Sequence, residues 1–454
     1  MGRNLFVHGH FYQPPEFNPF SGRMLEYDAC GARNFSEKVA QECYSPNANN
    51  GNLSLMSFDF GANLLKFLQQ YRPETYSRII SADQDNVKAC GAGNAIAMPY
   101  NHTILPLSRT KEGAELQIKW GILDFEARFG RKPKGIWLPE CAVNRETLSL
   151  LAKNGIEFTI LGQHQVRSYD NSRIFQTQTD EGILTLFLFD REISNSLSFR
   201  EDATRNADDF MESIKYVGER DLLLATDGEL YGHHHKFQDM FLNYLLTHSV
   251  KNSDFEVAFP EMLLKDRSAY GFAEVVENSS WSCAHNLARW NNGCCCTEGD
   301  SSWKRGLRNA LNSLDEGVTM LLEADGISEL SAELESFILT KIIEGSLSTF
   351  TNKYLGSKNS IQKERILNLL DAKYYAQLSM TSCGYFFSDL DEIRPVNNIR
   401  YAAESISLAK SACGNAGYDL EKRVCEKFQE SRSARTGKTA LDIYEQIKKE
   451  AQLN

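Results

Sequence analysis

Residues 225–237, ATDGELYGHHHKF, set two carboxylates two positions apart and follow them with three consecutive histidines. The chain holds nine histidines, so a third of its imidazoles fall in this one stretch. Three readings fit the stretch: a metal site, an acid/base site for sugar chemistry, or a polar loop. Similar chemistry gathers elsewhere. His8 and His10 lie two apart on a strand-like run, which points both rings the same way. Glu140 closes the run GIWLPE, just past Pro139, and Gly228 lets the backbone between Asp227 and Glu229 come close to something. Each group has a structural alternative. Glu140 could cap the helix opening near Asn144, and His8 could be a core histidine bonded to a carbonyl. His233, His234 and His235 could be a solvated helix start, since adjacent side chains diverge. Cys294, Cys295 and Cys296 look like a metal cluster, but consecutive residues chelate poorly, and structural zinc sites usually space their cysteines by two to four residues. No metal site is expected from them.

The elements that must position these groups follow from the apolar pattern. NLFVHGH (4–10), GIWLPE (135–140), IEFTILGQ (156–163), ILTLFLFD (183–190) and DLLLATDGE (221–229) read as buried strands that end in polar residues. Between two of them, NRETLSLLAKNG reads as a helix with Asn144 as N-cap and Gly155 at its C-terminal end. Repeated, this αβ alternation predicts a mostly parallel sheet, closed as a barrel or open and doubly wound. In α/β barrels the carboxyl ends of the strands form the active-site rim. His8, His10, Glu140, Asp190, Asp227 and Glu229 are therefore expected at one end. After ~300 the pattern changes: Leu307, Leu311, Leu314, Val318 and Leu321 step by four and three, as on an amphipathic helix. The same period continues through ELESFILTKIIEGSL, KERILNLLDAKYYAQLSM and NIRYAAESISLAKSA, and the charged tail after ~430 reads as a loosely held helix.

Bulk properties bound the function. At 454 residues, 42% hydrophobic and 24% charged, the chain can build a normal soluble core. A formal charge of −11 argues against nucleic acid or an anionic membrane as the main partner. The N-terminus offers no signal-peptide core, no apolar run approaches a membrane span, and the eleven scattered cysteines read as reduced thiols, so the cytoplasm is the expected compartment.

Taken together, these stretches resemble glycoside hydrolase family 57. HGHFYQPP is similar to the family's His-Gln-Pro motif in a longer variant, with His10 and Gln13 separated by Phe11 and Tyr12. MPYNHTILPL (98–107) is similar to a second segment and carries His102. WLPEC resembles the motif that bears the family's nucleophilic Glu, and DGELYGHH the one that bears its acid/base Asp. SSWSCAHNLARW (279–290) and MTSCGYFFSDL (380–390) resemble segments of a bacterial subgroup that often carries an additional uncharacterised C-terminal region.

The resemblance implies an incomplete parallel (β/α)7 barrel over 1–270 and a helical C-terminal region over 271–454 that contributes to the active-site mouth. It implies a retaining glycosidase or transglycosidase acting on α-glucans or maltooligosaccharides, with no cofactor, Glu140 as nucleophile and Asp227 as proton donor. Such enzymes hold two carboxyl groups about 5 Å apart. Trp137, Trp281, Trp290 and Tyr231 would stack on sugar rings. His10, His102 and His285 would bond hydroxyls or steady the carboxylates, with His8, Gln13, Asp190 and Glu229 nearby and His233 at the rim. Spacing alone does not choose between Asp227 and Glu229 as donor. Two alternatives stand beside this reading. One is a metal-dependent enzyme on a related barrel, such as a polysaccharide deacetylase or α-mannosidase, using His8, His10, Asp227 and the histidine triplet. The other is a non-catalytic glucan-binding protein.

Overall fold

Leu5, Phe6 and Val7 are buried in succession, the mark of a parallel strand covered on both faces. They belong to the first of ten strands among the described residues: β1 (Arg3–Phe11), β2 (Ser57–Phe60), β3 (Gly135–Ile136), β4 (Phe158–Gly162), β5 (Val166–Arg167), β6 (Ile174–Thr179), β7 (Gly182–Phe189), β8 (Leu222–Asp227), β9 (Phe255–Val257) and β10 (Glu274–Val275). The structure, a computed structural model, describes residues 3–168, 172–215, 217 and 221–452, with the backbone alone of 266–269.

Strand β1 pairs in parallel with β2 through residues 8–11 and with β8 through residues 5–10, while β9 lies beside its first residues, Arg3–Leu5. Strands β3, β4 and β7 form a second parallel set. Two short links close the circuit. Between β2 and β3, Ile96 N donates to Phe58 O at 2.9 Å and Trp137 N to Ala97 O at 2.8 Å, both through parallel bridges. Between β7 and β8, Asp190 N donates to Leu223 O at 2.8 Å. Counting the 95–97 segment, seven parallel segments surround the axis, which is the incomplete (β/α)7 barrel. Strand β6 runs antiparallel to β7, and β5 and β10 form a separate antiparallel pair. The αβ unit read from sequence is present: Asn144 accepts from Thr147 N at 2.8 Å, the helix runs Arg145–Lys153, and Gly155 follows it with φ +81.

The chain divides into two compact units. The barrel unit holds Met1–Glu16, Glu26–Met98 and Arg128–Glu277, and the helical unit holds Phe17–Leu25, Pro99–Ala127 and Asn278–Asn454. The expected cut near 270 is close to the last of these boundaries. Composition gave no sign of the two earlier segments that join the helices. Their reason is visible in the helix Lys111–Phe129, where Leu116, Ile118 and Trp120 are all buried. Trp120 Nε1 donates to Leu334 O at 3.2 Å, and its ring packs beside Tyr100 and Tyr374.

In the helical unit, Leu307, Leu311, Leu314 and Val318 are buried along Trp303–Ala324, with Leu322 rather than Leu321 completing the stripe. Long helices Ser360–Leu378, Ile393–Cys413 and Asn415–Phe428 follow. The tail is not loosely held. Its helix Ala440–Gln452 buries Ile443, Tyr444 and Ile447, and Tyr444 and Lys448 both bond Glu421. Among the described residues, no helix is long and apolar enough to cross a membrane.

Candidate active site

The parallel register sets His10 level with Asp59 on β2 and with Asp227 on β8, at the carboxyl ends of three adjacent strands. Two glycines make this convergence possible. A Cβ on Gly9 would meet Met56 Cε at 2.6 Å, and one on Gly228 would meet the Phe11 ring at 2.2 Å. The close approach expected at Gly228 is thus to Phe11.

His8 and His10 both turn toward Asp59. His8 Nε2 lies 3.0 Å from Asp59 Oδ1, His10 Nδ1 lies 2.9 Å from Asp59 Oδ2, and His8 Nδ1 lies 2.8 Å from Ser57 Oγ. Trp137 stacks on both rings, with centroids 4.8 Å from His8 and 5.2 Å from His10. Burial lowers the pKa of His8, against the pull of Asp59. For His10, burial is outweighed by Asp59, with Asp227 and Glu229 adding, and its pKa rises to about 9. Burial would raise the pKa of Asp59, but the His10 cation overcomes it and the net shift is downward. The triad is therefore a neutral His8, an ionised Asp59 and a His10 imidazolium. That assigns the His8 proton to Nε2, donating to Asp59, with Nδ1 accepting from Ser57.

The two carboxylates of the DGE stretch part company. The strand ends at Asp227, and Gly228–Leu230 is a 3₁₀ turn, so Glu229 does not continue the strand face on which it was expected. Glu229 is buried, and its Oε1 accepts from Tyr12 N at 3.1 Å and from Tyr44 Oη at 2.5 Å. A π-helical turn, Ala40–Tyr44, delivers that tyrosine, and π-bulges often mark functional sites. Burial, then the Asp227 charge, lifts Glu229 to about 7. Asp227 is exposed to solvent, yet protein atoms crowd its carboxyl. Desolvation raises its pKa, His10 opposes the rise and Asp59 adds to it. Asp227 is thus an acid both crowded and reachable.

Glu140 sits on the 3₁₀ turn Pro139–Cys141, half-buried, with φ +58, and Cys141 follows with φ +48. Two consecutive left-handed residues other than glycine store backbone strain, which persists where surrounding bonds over-determine it. Here Cys141 N donates to Leu138 O at 2.8 Å and Gln165 Nε2 to Cys141 O at 2.6 Å. The buried Cys141 thiol is raised by burial and then by the charges of Glu140, Asp59 and Asp227. Asn144 caps its own helix, so Glu140 is not needed there.

Other expected site residues divide into three groups. Around the 225–237 loop, Gln13 bonds the Tyr44 hydroxyl, and His233 Nδ1 lies 2.5 Å from Glu42 Oε2 in a half-buried position. Burial bears on five of them: His8, His102, Trp137, Tyr231 and Trp290 are at most 1% exposed, so they present no open surface to a sugar. Asp190 also lies at a strand end, but its oxygens are taken: Oδ1 caps the helix Arg191–Phe199 through Ile193 N at 3.1 Å, and Oδ2 pairs with Arg173 at 2.8 Å. The third group belongs to the helical unit. His102 is buried there with Nδ1 2.6 Å from Ser382 Oγ, Trp281 is half-buried, and His285 is exposed among cysteines. Sequence reasoning missed Asp59 and Tyr44. An aspartate inside the apolar run SFDF was the available signal for the first.

The rival metal reading needs ligands that are otherwise engaged. Both ring nitrogens of His8 have partners, and His235 Nε2 lies 3.1 Å from Ser198 O. Among the described residues, no group with metal-ligand spacing falls at these strand ends.

The fold and site define a barrel enzyme with carboxylic acids gathered at the strand ends. Residues 20–275, more than half of the chain, match the model of Glycosyl hydrolase family 57, and the chain belongs to that family. Residues 300–454 match a Domain of unknown function, DUF3536. A curated relative, the 1,4-alpha-glucan branching enzyme of Thermococcus kodakarensis, is 46% identical over 52 residues, 12% of this chain. The matched stretch spans 8% of that relative's length. Among solved structures, the exo-type maltose-forming amylase of Pyrococcus sp. ST04 aligns with a TM-score of 0.72 and 16% identity, over 94% of this chain and 82% of that one. The branching enzyme of Pyrococcus horikoshii aligns at 0.64 with 15% identity, over 93% and 95%. At such identities the likeness speaks for the fold.

Proposed function

We propose that this chain is a retaining glycosidase or transglycosidase acting on α-1,4-linked glucans, with Glu140 as nucleophile and Asp227 as proton donor. The observation that carries the reading is the contrast between two neighbouring acids. Both have raised pKa values, but Asp227 is open to solvent while Glu229 is buried and held by Tyr12 and Tyr44. A donor must reach the leaving oxygen and must begin protonated. Asp227 is reachable, and its pKa moves in the direction that a donor needs. Glu229 meets the second only and serves as a positioning residue beneath the His10 imidazolium. Glu140, delivered on a strained turn, attacks the anomeric carbon as a carboxylate, and Asp227 then activates water or a sugar hydroxyl to release the glycosyl group. The branching and amylase activities named for relatives differ in which acceptor wins that last step.

Product analysis after incubation with maltooligosaccharides and amylose tests the activity: new chain lengths or branches are expected, and unchanged substrate would sink the reading. Asp227→Asn should lower turnover of natural glucan by about 10²–10⁴ and spare an activated aryl glycoside, whose departure needs no proton. Glu229→Gln should be milder on both. The reverse order would exchange the two roles.

A further inference from the structure

The helical unit carries a cluster that the proposed glucan chemistry does not use. Cys283, His285, Cys294 and Cys296 each bring one ligand atom to within 4.8 Å of all the others. Cys283 Sγ lies 3.7 Å from Cys294 Sγ and 4.0 Å from His285 Nδ1, and Cys296 Sγ lies 3.3 Å from the same nitrogen. A tetrahedral zinc, with Zn–S of about 2.3 Å and Zn–N of about 2.0 Å, holds its ligand atoms roughly 3.5–3.8 Å apart. The three distances, 3.3, 3.7 and 4.0 Å, scatter about that spacing, and a shift of a few tenths of an ångström would bring them to it.

Its arrangement also answers the objection that consecutive cysteines chelate poorly. The ligands are alternate residues, Cys283 with His285 and Cys294 with Cys296, and the short helix Ala288–Asn291 brings the two pairs together. Cys295 stands apart. It is exposed, and its Sγ lies 3.6 Å from the opposite ring nitrogen, His285 Nε2.

Backbone and charge agree. Asn286 and Leu287, directly after the histidine, have φ of +50 and +63, and Leu287 is fully buried. Left-handed residues of this kind persist where their surroundings fix them on both sides, as bonds to one ion through His285 and Cys294 would. Zinc with three thiolates and a neutral imidazole carries a net negative charge, and two cations flank the quartet. Arg289 donates to Cys296 O and, at 3.2 Å, to Ser282 O. The buried Lys304 ammonium donates to Thr297 Oγ1 at 2.8 Å and feels Cys283, Cys294 and Cys296.

We propose that Cys283, His285 through Nδ1, Cys294 and Cys296 form a structural zinc site that clamps residues 283–296 ahead of the helix Trp303–Ala324. Four protein ligands leave no open position for water or substrate, which separates this site from a catalytic zinc. His285 then serves the metal and not a sugar hydroxyl.

The test uses the full chain, purified under reductant without chelator or polyhistidine tag. Elemental analysis should find about one zinc per chain, released by a mercurial thiol reagent. Cys283→Ser and Cys294→Ser should lose it, while Cys295→Ser keeps it. Should the first two variants fail to fold, X-ray absorption on the unmutated zinc protein should report three sulfurs and one nitrogen. Three results would overturn the proposal: a chain that takes up no zinc even when supplied with it under reductant, iron with acid-labile sulfide in its place, or a Cys295→Ser variant that loses metal as fully as Cys294→Ser.

Discussion

Buried charge is organised differently in the barrel unit and in the helical unit. In the helical unit one cation is fully paired, although burial still leaves Glu329 raised beside it. Lys373 is fully buried, and its ammonium donates to Asp315 Oδ1 and Glu329 Oε1, both at 2.6 Å, and to Thr319 Oγ1 at 2.8 Å. That uses all three of its hydrogens. Gln377 bonds Asp315 at 2.9 Å, Gln117 bonds Gln377 at 2.9 Å, and Asn101 N donates to Gln117, so the network extends from Lys373 to the Pro99–Ala127 segment. Burial alone would lower the pKa of Lys373, yet its two carboxylates raise it and keep the charge in place. In the barrel unit the groups are left unbalanced. One imidazolium, His10, faces Asp59, Asp227 and Glu229, and desolvation prevails over its attraction at the last two. A network that answers its own charges holds helices together. One that leaves acids partly unanswered keeps protons available to a substrate.

Glu140→Gln is the strongest way to press this contrast. It removes the proposed nucleophile without changing the side chain's size, so kcat should fall on the order of 10⁴ or more while the melting temperature stays nearly constant. Steady-state kinetics with calorimetry checks both halves, and retained turnover would take Glu140 out of the reaction. Lys373→Met should do the converse. It leaves Asp315 and Glu329 buried beside an apolar chain, a loss of about 3–5 kcal/mol in urea unfolding. A loss below about 1 kcal/mol would mean that the closed network is not what it is described to be. Asp59→Asn gives the smallest effect and tests the open side. The pKa of His10 is raised from 6.5 to about 9, so its stabilising proton is fully present below pH 6.5 and lost as pH rises through 9. The wild-type chain should therefore lose up to roughly 3 kcal/mol across that interval, and the variant much less. Glu229 adds little to this slope, because its own loss falls between 4.5 and about 7. Equal slopes in melting temperature against pH for the two proteins would remove the imidazolium from the account.

The sequence made some of this legible and hid the rest for local reasons. Strands β1, β4, β7 and β8 are long apolar runs that end in polar residues, and they lie where that pattern puts them. Strand β2 escaped because SFDF is short, buried at every position and interrupted by an acid, so it shows neither alternation nor an apolar run. With it went Asp59, the partner of both histidines. The link at 95–97 is too short and too rich in alanine to read as a strand. Glu229 was given the face of Asp227 by a period of two that the strand abandons one residue earlier. The tryptophans were legible as aromatic, but whether a ring faces solvent or core depends on residues far along the chain. The cysteine quartet was obscured by the triplet at 294–296, whose middle member points elsewhere.

The pairing of β1 also has a consequence for the order of events during synthesis. Strand β1 meets β2 soon after it leaves the ribosome, but β8 and β9 begin at residues 222 and 255. At about 5–20 residues per second, β1 waits on the order of 10–50 s for its second edge. Throughout that interval it is an apolar strand with one side of its hydrogen-bond ladder open, the form most prone to pair with another chain. His8 and His10 lie on that exposed ladder before β8 arrives, so the strand that carries the imidazolium is among the last to be fully covered.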